Sequence, residues 1–172
     1  MDLAYFDHLK RLAENLEHPL LESLVTLTID CYNVSTVERA LSLKKPGSFM
    51  KQLLSDAGTL SAREVIQCVE QGNLISWFQQ VNPLPYDVEL TRYEEQMRAG
   101  RVSAETVEYL EHVIKYRILE QASFETDGPL PLARYLFGKE LEVKNFRLVL
   151  TGLDNQLPID KIKERMRPIY GQ

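Results

Sequence analysis

Apolar residues recur at steps of three and four along almost the whole chain. No stretch of four to eight residues alternates apolar with polar between hairpin signals such as Asn-Gly or Asp-Gly. The pattern predicts an all-α protein. A first helix over about residues 2 to 16 gathers Leu3, Phe6, Leu9, Leu12, Ala13 and Leu16 on one stripe. Pro19 suits the first turn of a longer second helix, which carries Leu24, Leu27, Cys31, Val34 and Val37 and closes at Lys44-Lys45-Pro46-Gly47. After a short segment around residues 49 to 54, Ser61 and Glu64 form the S-x-x-E of a capping box, and Gly72 ends the helix that it opens. Leu74, Ile75, Trp77 and Phe78 belong to another helix, stopped by Asn82-Pro83-Leu84-Pro85.

Residues 87 to 99 are charged and weakly apolar, which predicts more exposure than their neighbours have. Ser103 is an N-cap for a helix with Val107, Leu110, Ile114 and Ile118 at its core. The next helix runs from about Pro131 to Gly152. It is apolar over a wide arc, with only Glu140, Lys144 and Arg147 in a charged strip, so it is expected to be covered on most sides and central to its module. A last helix follows Leu157-Pro158 and runs to about Arg167.

Self-similarity changes this picture. Pro19, Leu24, Ile29, Asp30, Asn33 and Val37 recur at one constant offset as Pro131, Leu136, Leu141, Glu142, Asn145 and Val149. Both copies place a carboxylate three residues before an Asn. A further match sets Leu60-Ser61, Val65 and Val69 against Leu157-Pro158, Ile162 and Met166 at a shorter offset, which implies an insertion in the first copy between Lys45 and Gly58. The expected organisation is a first helical module over 1–100 and a second over 101–172. Asp30, Asn33, Glu142 and Asn145 are the repeat-equivalent positions. Carboxylate and amide share a helix face and can bind a ligand, a metal or a partner, or can satisfy an adjacent helix end. The structural role is favoured, because no further polar groups converge nearby.

Composition narrows the function. The 172 residues carry 20 Lys+Arg against 25 Asp+Glu, a net charge of -5 that disfavours binding to nucleic acid or anionic lipid. The apolar runs are too short for a bilayer span or a signal-peptide core, so direct membrane insertion is not expected. Cys31 and Cys68 make no CxxC motif, look like small core residues, and suit a reducing, cytoplasmic setting. His8, His18 and His112 have no partner at metal-site spacing and read as surface or helix-end residues. Gly138-Lys139 lacks the spaced glycine of a phosphate loop, and no GxGxxG occurs. Tyr109 and Tyr116 sit seven apart for packing, and Glu94-Glu95 point different ways on a helix. No catalytic residue, cofactor or metal is expected. The chain reads as an interaction protein whose exposed polar surface, not a pocket, carries function.

The stretch from Leu132 to Gly152, with Lys139-Glu140, Glu142, Lys144-Asn145, Arg147 and Leu150-Thr151-Gly152, followed by Leu157-Pro158 and Ile162-Lys163-Glu164-Arg165, resembles the C-terminal signature of the C subunit of A-type and V-type rotary ATPases. The eukaryotic counterpart is called the d subunit. Ile29-Asp30, Asn33 and Arg39 resemble the preceding repeat. The resemblance implies two tandem repeats of a funnel-shaped, three-module, all-α protein, and hence a C-terminal portion of a longer chain. It also implies a noncatalytic central-stalk role: coupling the rotary shaft subunits to the membrane rotor ring subunits, transmitting torque in ion transport, and lying in the cytoplasm peripheral to the membrane. Whether the ion is H+ or Na+ stays open, since the ion site belongs to the ring. A freestanding helical scaffold or regulatory protein is the alternative.

Overall fold

Helical periodicity is realised throughout a computed structural model that describes residues 3–81, 93, 95–98 and 102–169. These residues contain no strand. Eight helices are defined among them: α1 (Leu3–Asn15), α2 (Pro19–Ser42), α3 (Gly47–Lys51), α4 (Ala62–Glu70), α5 (Leu74–Val81), α6 (Ala104–Glu120), α7 (Leu130–Asp154) and α8 (Ile159–Lys163). The chain is all-α, as its periodicity predicts. It divides into two compact units, Met1–Glu111 and His112–Gln172.

In the first unit α2 is the centre, flanked by α1 and α4. It begins with Pro19 in the first turn, and the His18 ring accepts from the Leu20 N–H at 3.3 Å. α4 begins at the capping box: the Ser61 side chain accepts from Glu64 N–H, and the Glu64 carboxylate accepts from Ser61 N–H at 2.9 Å. It ends before Gly72, whose φ of 65 is the left-handed value a helix C-terminus uses. The stripe on α1 is narrower than its sequence suggests: Phe6 and Ala13 are buried, whereas Leu12 and Leu16 are exposed. The turn at Asn82-Pro83-Leu84-Pro85 lies outside the described residues. So does most of the 87–99 segment, but Tyr93 and Met97 within it are buried, against the expected exposure.

In the second unit the end of α6 supplies Val113, Ile114, Ile118 and Leu119 to the core. Ser103 caps the start of that helix by accepting from Thr106 N–H at 3.1 Å. α7 departs from expectation. Only one side of it is buried, through Leu130, Gly138, Leu141, Asn145 and Gly152. A wide apolar arc calls for cover on most sides, yet the outward half of this one has none among the described residues. The last helix also stops at Lys163 rather than near Arg167: Arg165 and Met166 N–H donate three residues back, to Ile162 O and Lys163 O, and the backbone at Arg167 is bonded to Asn145 of α7.

The constant offset between the two long helices holds through the turns that follow them. α2 ends at Ser42 and α7 at Asp154; Lys44 and Gln156 both have positive φ, 53 and 54. Lys45 N–H donates to Ala40 O at 2.9 Å, and Leu157 N–H to Gly152 O at 2.8 Å. Pro46 and Pro158 precede the short helices α3 and α8, on which Met50 and Ile162 are buried. The same turn also ends α4, where Gly72 has a φ of 65 and Asn73 N–H donates to Cys68 O at 2.9 Å. Residues 46–51 and 158–163 both begin with a proline and form a short helix after such a turn.

Candidate functional site

Asn33 is fully buried on α2, and its amide grips the backbone of Ser55. Nδ2 donates to Ser55 O at 2.8 Å, and Oδ1 accepts from Ser55 N–H at 3.0 Å. Asn145 on α7 does the same to Arg167: Nδ2 donates to its carbonyl at 2.9 Å, and Oδ1 accepts from its N–H at 2.8 Å. In each case the gripped residue lies 22 positions on. A small amide side chain offers donor and acceptor side by side, so it can replace the two bonds a neighbouring strand would supply. Each clamp fixes a non-helical segment that could otherwise not be buried against the helix.

The carboxylates behave differently. Asp30 is buried, and its Oδ1 accepts from Thr59 N–H at 2.8 Å, continuing the grip on the loop below Ser55. Gly58 is required there, since a Cβ at that position would collide with Asp30 Oδ1. Burial pushes the Asp30 carboxyl above its ordinary value, against the hydrogen bonding at Thr59 and Leu60 that favours the charged form. Asp30 Oδ2 and the Trp77 Nε1–H are buried without a bond in hydrogen-bond geometry. Glu142, by contrast, is half-buried and pairs with Lys139 on its own helix at 2.8 Å. In neither unit do the carboxylate and amide converge on an open site.

His112 is the functional-looking residue that sequence reading misplaces. It is 4% exposed, not a surface or helix-end residue. Its Nδ1 accepts from Arg167 Nε at 3.0 Å, and Lys144 Nζ lies 2.6 Å from Nε2. Burial, then Lys144, Arg167 and Lys115, push its pKa down to about 3, so the ring is neutral at physiological pH. Its partners come from α7 and from the segment after α8, which no local spacing reveals. His18 is at a helix end and His8 is exposed, as expected; Cys31 is a buried core residue.

The largest unspent feature is the outward side of α7. Leu132, Leu136, Val143, Phe146, Leu150 and Leu153 are all more than half exposed, Phe146 at 66%. This side of the helix is an exposed apolar surface. Among the described residues no group of three or more His, Cys, Asp or Glu side chains can hold a metal, and no helix is long and apolar enough to cross a membrane.

A family model for the ATP synthase (C/AC39) subunit matches residues 1–165. The chain belongs to this family. It is 30% identical over 172 residues to the C subunit of the V-type sodium ATPase of Enterococcus hirae, an alignment covering 98% of the chain and 50% of that protein. The C subunits of the A-type ATP synthases of Pyrococcus abyssi and Pyrococcus horikoshii are 21% and 24% identical to it over 148 residues, covering 86% of the chain and 40% of each relative. The chain thus spans half or less of the length of these curated relatives. No solved structure matches it. Both clamp residues, Asn33 and Asn145, lie within the residues that the C-subunit family model matches.

Proposed function

We propose that the chain serves as a noncatalytic central-stalk component, whole or in part, of a V-type or A-type rotary ATPase, linking the rotary shaft subunits to the membrane rotor ring and passing torque between them. The observation that carries this reading is the family match over residues 1–165. The clamps support it: a part that transmits torque must not yield at its loops, and Asn33 and Asn145 tie non-helical segments to the two longest helices. The open face of α7 supports a role exercised by contact rather than by chemistry. On this reading the protein lies at the cytoplasmic side, peripheral to the membrane. The two units are tandem copies of one module, organised about residues 1–100 and 101–172, in which Asn33 and Asn145 are equivalent and Asp30 and Glu142 have diverged.

Mixing the chain with purified shaft subunits of the ATPase from the same source, and weighing the mixture by size-exclusion chromatography with light scattering, tests the assignment. A complex of defined stoichiometry is expected. Failure to associate at micromolar concentrations, with the chain folded, removes the shaft as its partner.

A further inference from the structure

We propose that residues 166–169 form a strap that opens by itself when His112 takes up a proton, while the helices beneath it stay folded. These residues carry no helix and run from the end of α8 onto α6 and α7. The Asn145 amide holds the Arg167 backbone by two bonds, Arg167 Nε–H donates to His112 Nδ1 at 3.0 Å, and the Tyr116 hydroxyl donates to Ile169 O at 3.3 Å. The strap buries little: Met166, Arg167 and Pro168 are half-buried and Ile169 is exposed. Lifting it therefore exposes little apolar surface and costs less than opening the whole unit. The Ser55 segment gripped by Asn33 differs on both counts, since Ser55 is buried and the second grip on its loop is Asp30 at Thr59, not a histidine.

His112 cannot be charged with the strap in place. A neutral imidazole offers one lone pair to a donor, and an imidazolium offers none. Both ring nitrogens face cationic donors, Arg167 Nε at Nδ1 and Lys144 Nζ at 2.6 Å from Nε2. A second ring proton thus points N–H at N–H and removes the acceptor at which the Arg167 side chain is held. The charges that act on the ring are Lys144 from α7, Arg167 from the strap and Lys115 on α6 itself, all of one sign, and the Phe137 ring of α7 packs beside it. Glu140 is engaged with Lys144 at 2.9 Å. Lifting the strap carries the Arg167 charge away and admits water to the ring, so the open form binds the proton better than the closed one. By linkage, acid then shifts the equilibrium toward the open form.

Native-state amide hydrogen exchange of the full chain, with small additions of urea, reads the strap at the Arg167 N–H and the whole unit at the Leu141 N–H inside α7. Protection, corrected for the intrinsic pH dependence of exchange, is expected to be at least tenfold lower at Arg167 than at Leu141 and insensitive to urea. At Arg167 it is expected to fall about 25-fold between pH 7 and pH 5, with an onset near the ordinary 6.5 of a histidine. His8 is exposed and His18 lies at the start of α2, so that onset at the strap reports His112. His112→Gln, whose amide oxygen accepts from Arg167 and does not titrate, is expected to keep the strap protected at pH 5. Protection at Arg167 that is unchanged by pH overturns the inference. So does exchange that rises with urea in step with Leu141, because the unit then opens as a whole, and so does an equal fall in His112→Gln. The first two readouts use the native chain and decide the question even where the variant fails to fold.

Discussion

α2 and α7 are nearly the same length, carry a proline in the first turn, bear an Asn that grips a later backbone segment, and finish in the same turn, yet they are used in opposite ways. Val34 of α2 is 1% exposed; Phe146, one residue past the clamp Asn on α7 as Val34 is on α2, is 66% exposed. α2 has α1 and α4 packed along it. Helix geometry and the clamp are thus independent of how much of the helix is covered. A side chain's burial depends on what the rest of the chain brings to it, and similar apolar arcs serve as core in one unit and as open surface in the other.

Charge substitution at the two matched positions should separate them most. Val34→Glu would bury an unpaired carboxylate and is expected to unfold the first unit, at a cost above about 4 kcal/mol, whereas Phe146→Glu is expected to change stability by less than about 0.5 kcal/mol. Trp77 is the chain's one tryptophan and is buried in the first unit, so its fluorescence during urea unfolding reads that unit alone.

Removing the clamps should have the next largest effect. Asn33→Ala leaves both backbone groups of the buried Ser55 without the amide that holds them and is expected to cost about 2–4 kcal/mol. Asn145→Ala, whose partner Arg167 is only half-buried, is expected to cost about 1–2 kcal/mol. Equal losses in the two, measured by urea unfolding, would mean that the Arg167 segment is held as tightly as the Ser55 loop.

Acid should move the units in opposite directions. His112 has a folded pKa of about 3 against an ordinary 6.5, so the neutral ring is favoured by folding. Its contribution is present above pH 6.5 and is lost as pH falls toward 3, about 2 kcal/mol of it between pH 7 and pH 5. Asp30 has a raised folded pKa, so its protonated form is favoured by folding. That contribution is complete below its ordinary 3.8 and is lost as pH rises through the folded value. Amide hydrogen exchange across pH 7 to 5 should show α7 losing protection, with no such loss in α2. The His112 ring signals should not titrate above pH 5; a His112 midpoint near 6.5 would contradict its burial between Lys144 and Arg167.

Smallest are the turns. Lys44→Gly and Gln156→Gly each relieve a side chain held at positive φ, and each is expected to stabilise by about 0.5–1 kcal/mol. Unequal gains, measured by thermal melting, would show that the two turns are less alike than their hydrogen bonds.

Much of this is legible in the residues, and the part that is not has a physical cause. Helices declare themselves through local periodicity, and the Ser61–Glu64 box and Pro19 mark their ends through short-range chemistry. The shared offset of Asn33 and Asn145 is visible, but what they hold is not, since Ser55 and Arg167 share no side-chain feature. The likeness of Leu157-Pro158 to Leu60-Ser61 is visible too, but side-chain likeness carries no information about backbone turns such as those with Lys44 and Gln156 at positive φ. The burial of His112 and the open face of α7 depend on long-range neighbours, which a helical repeat pattern does not encode.

We propose that this chain takes part in the ATPase by contact, and the apolar side of α7 is the exposed surface most suited to it. Titration calorimetry of the purified shaft subunits into the native chain and into Phe146→Glu tests it most directly. The account predicts saturable binding by the native chain and at least a tenfold weaker affinity for the folded variant. Equal affinity for both would place the contact elsewhere on the molecule, and no binding by either would contradict the claim.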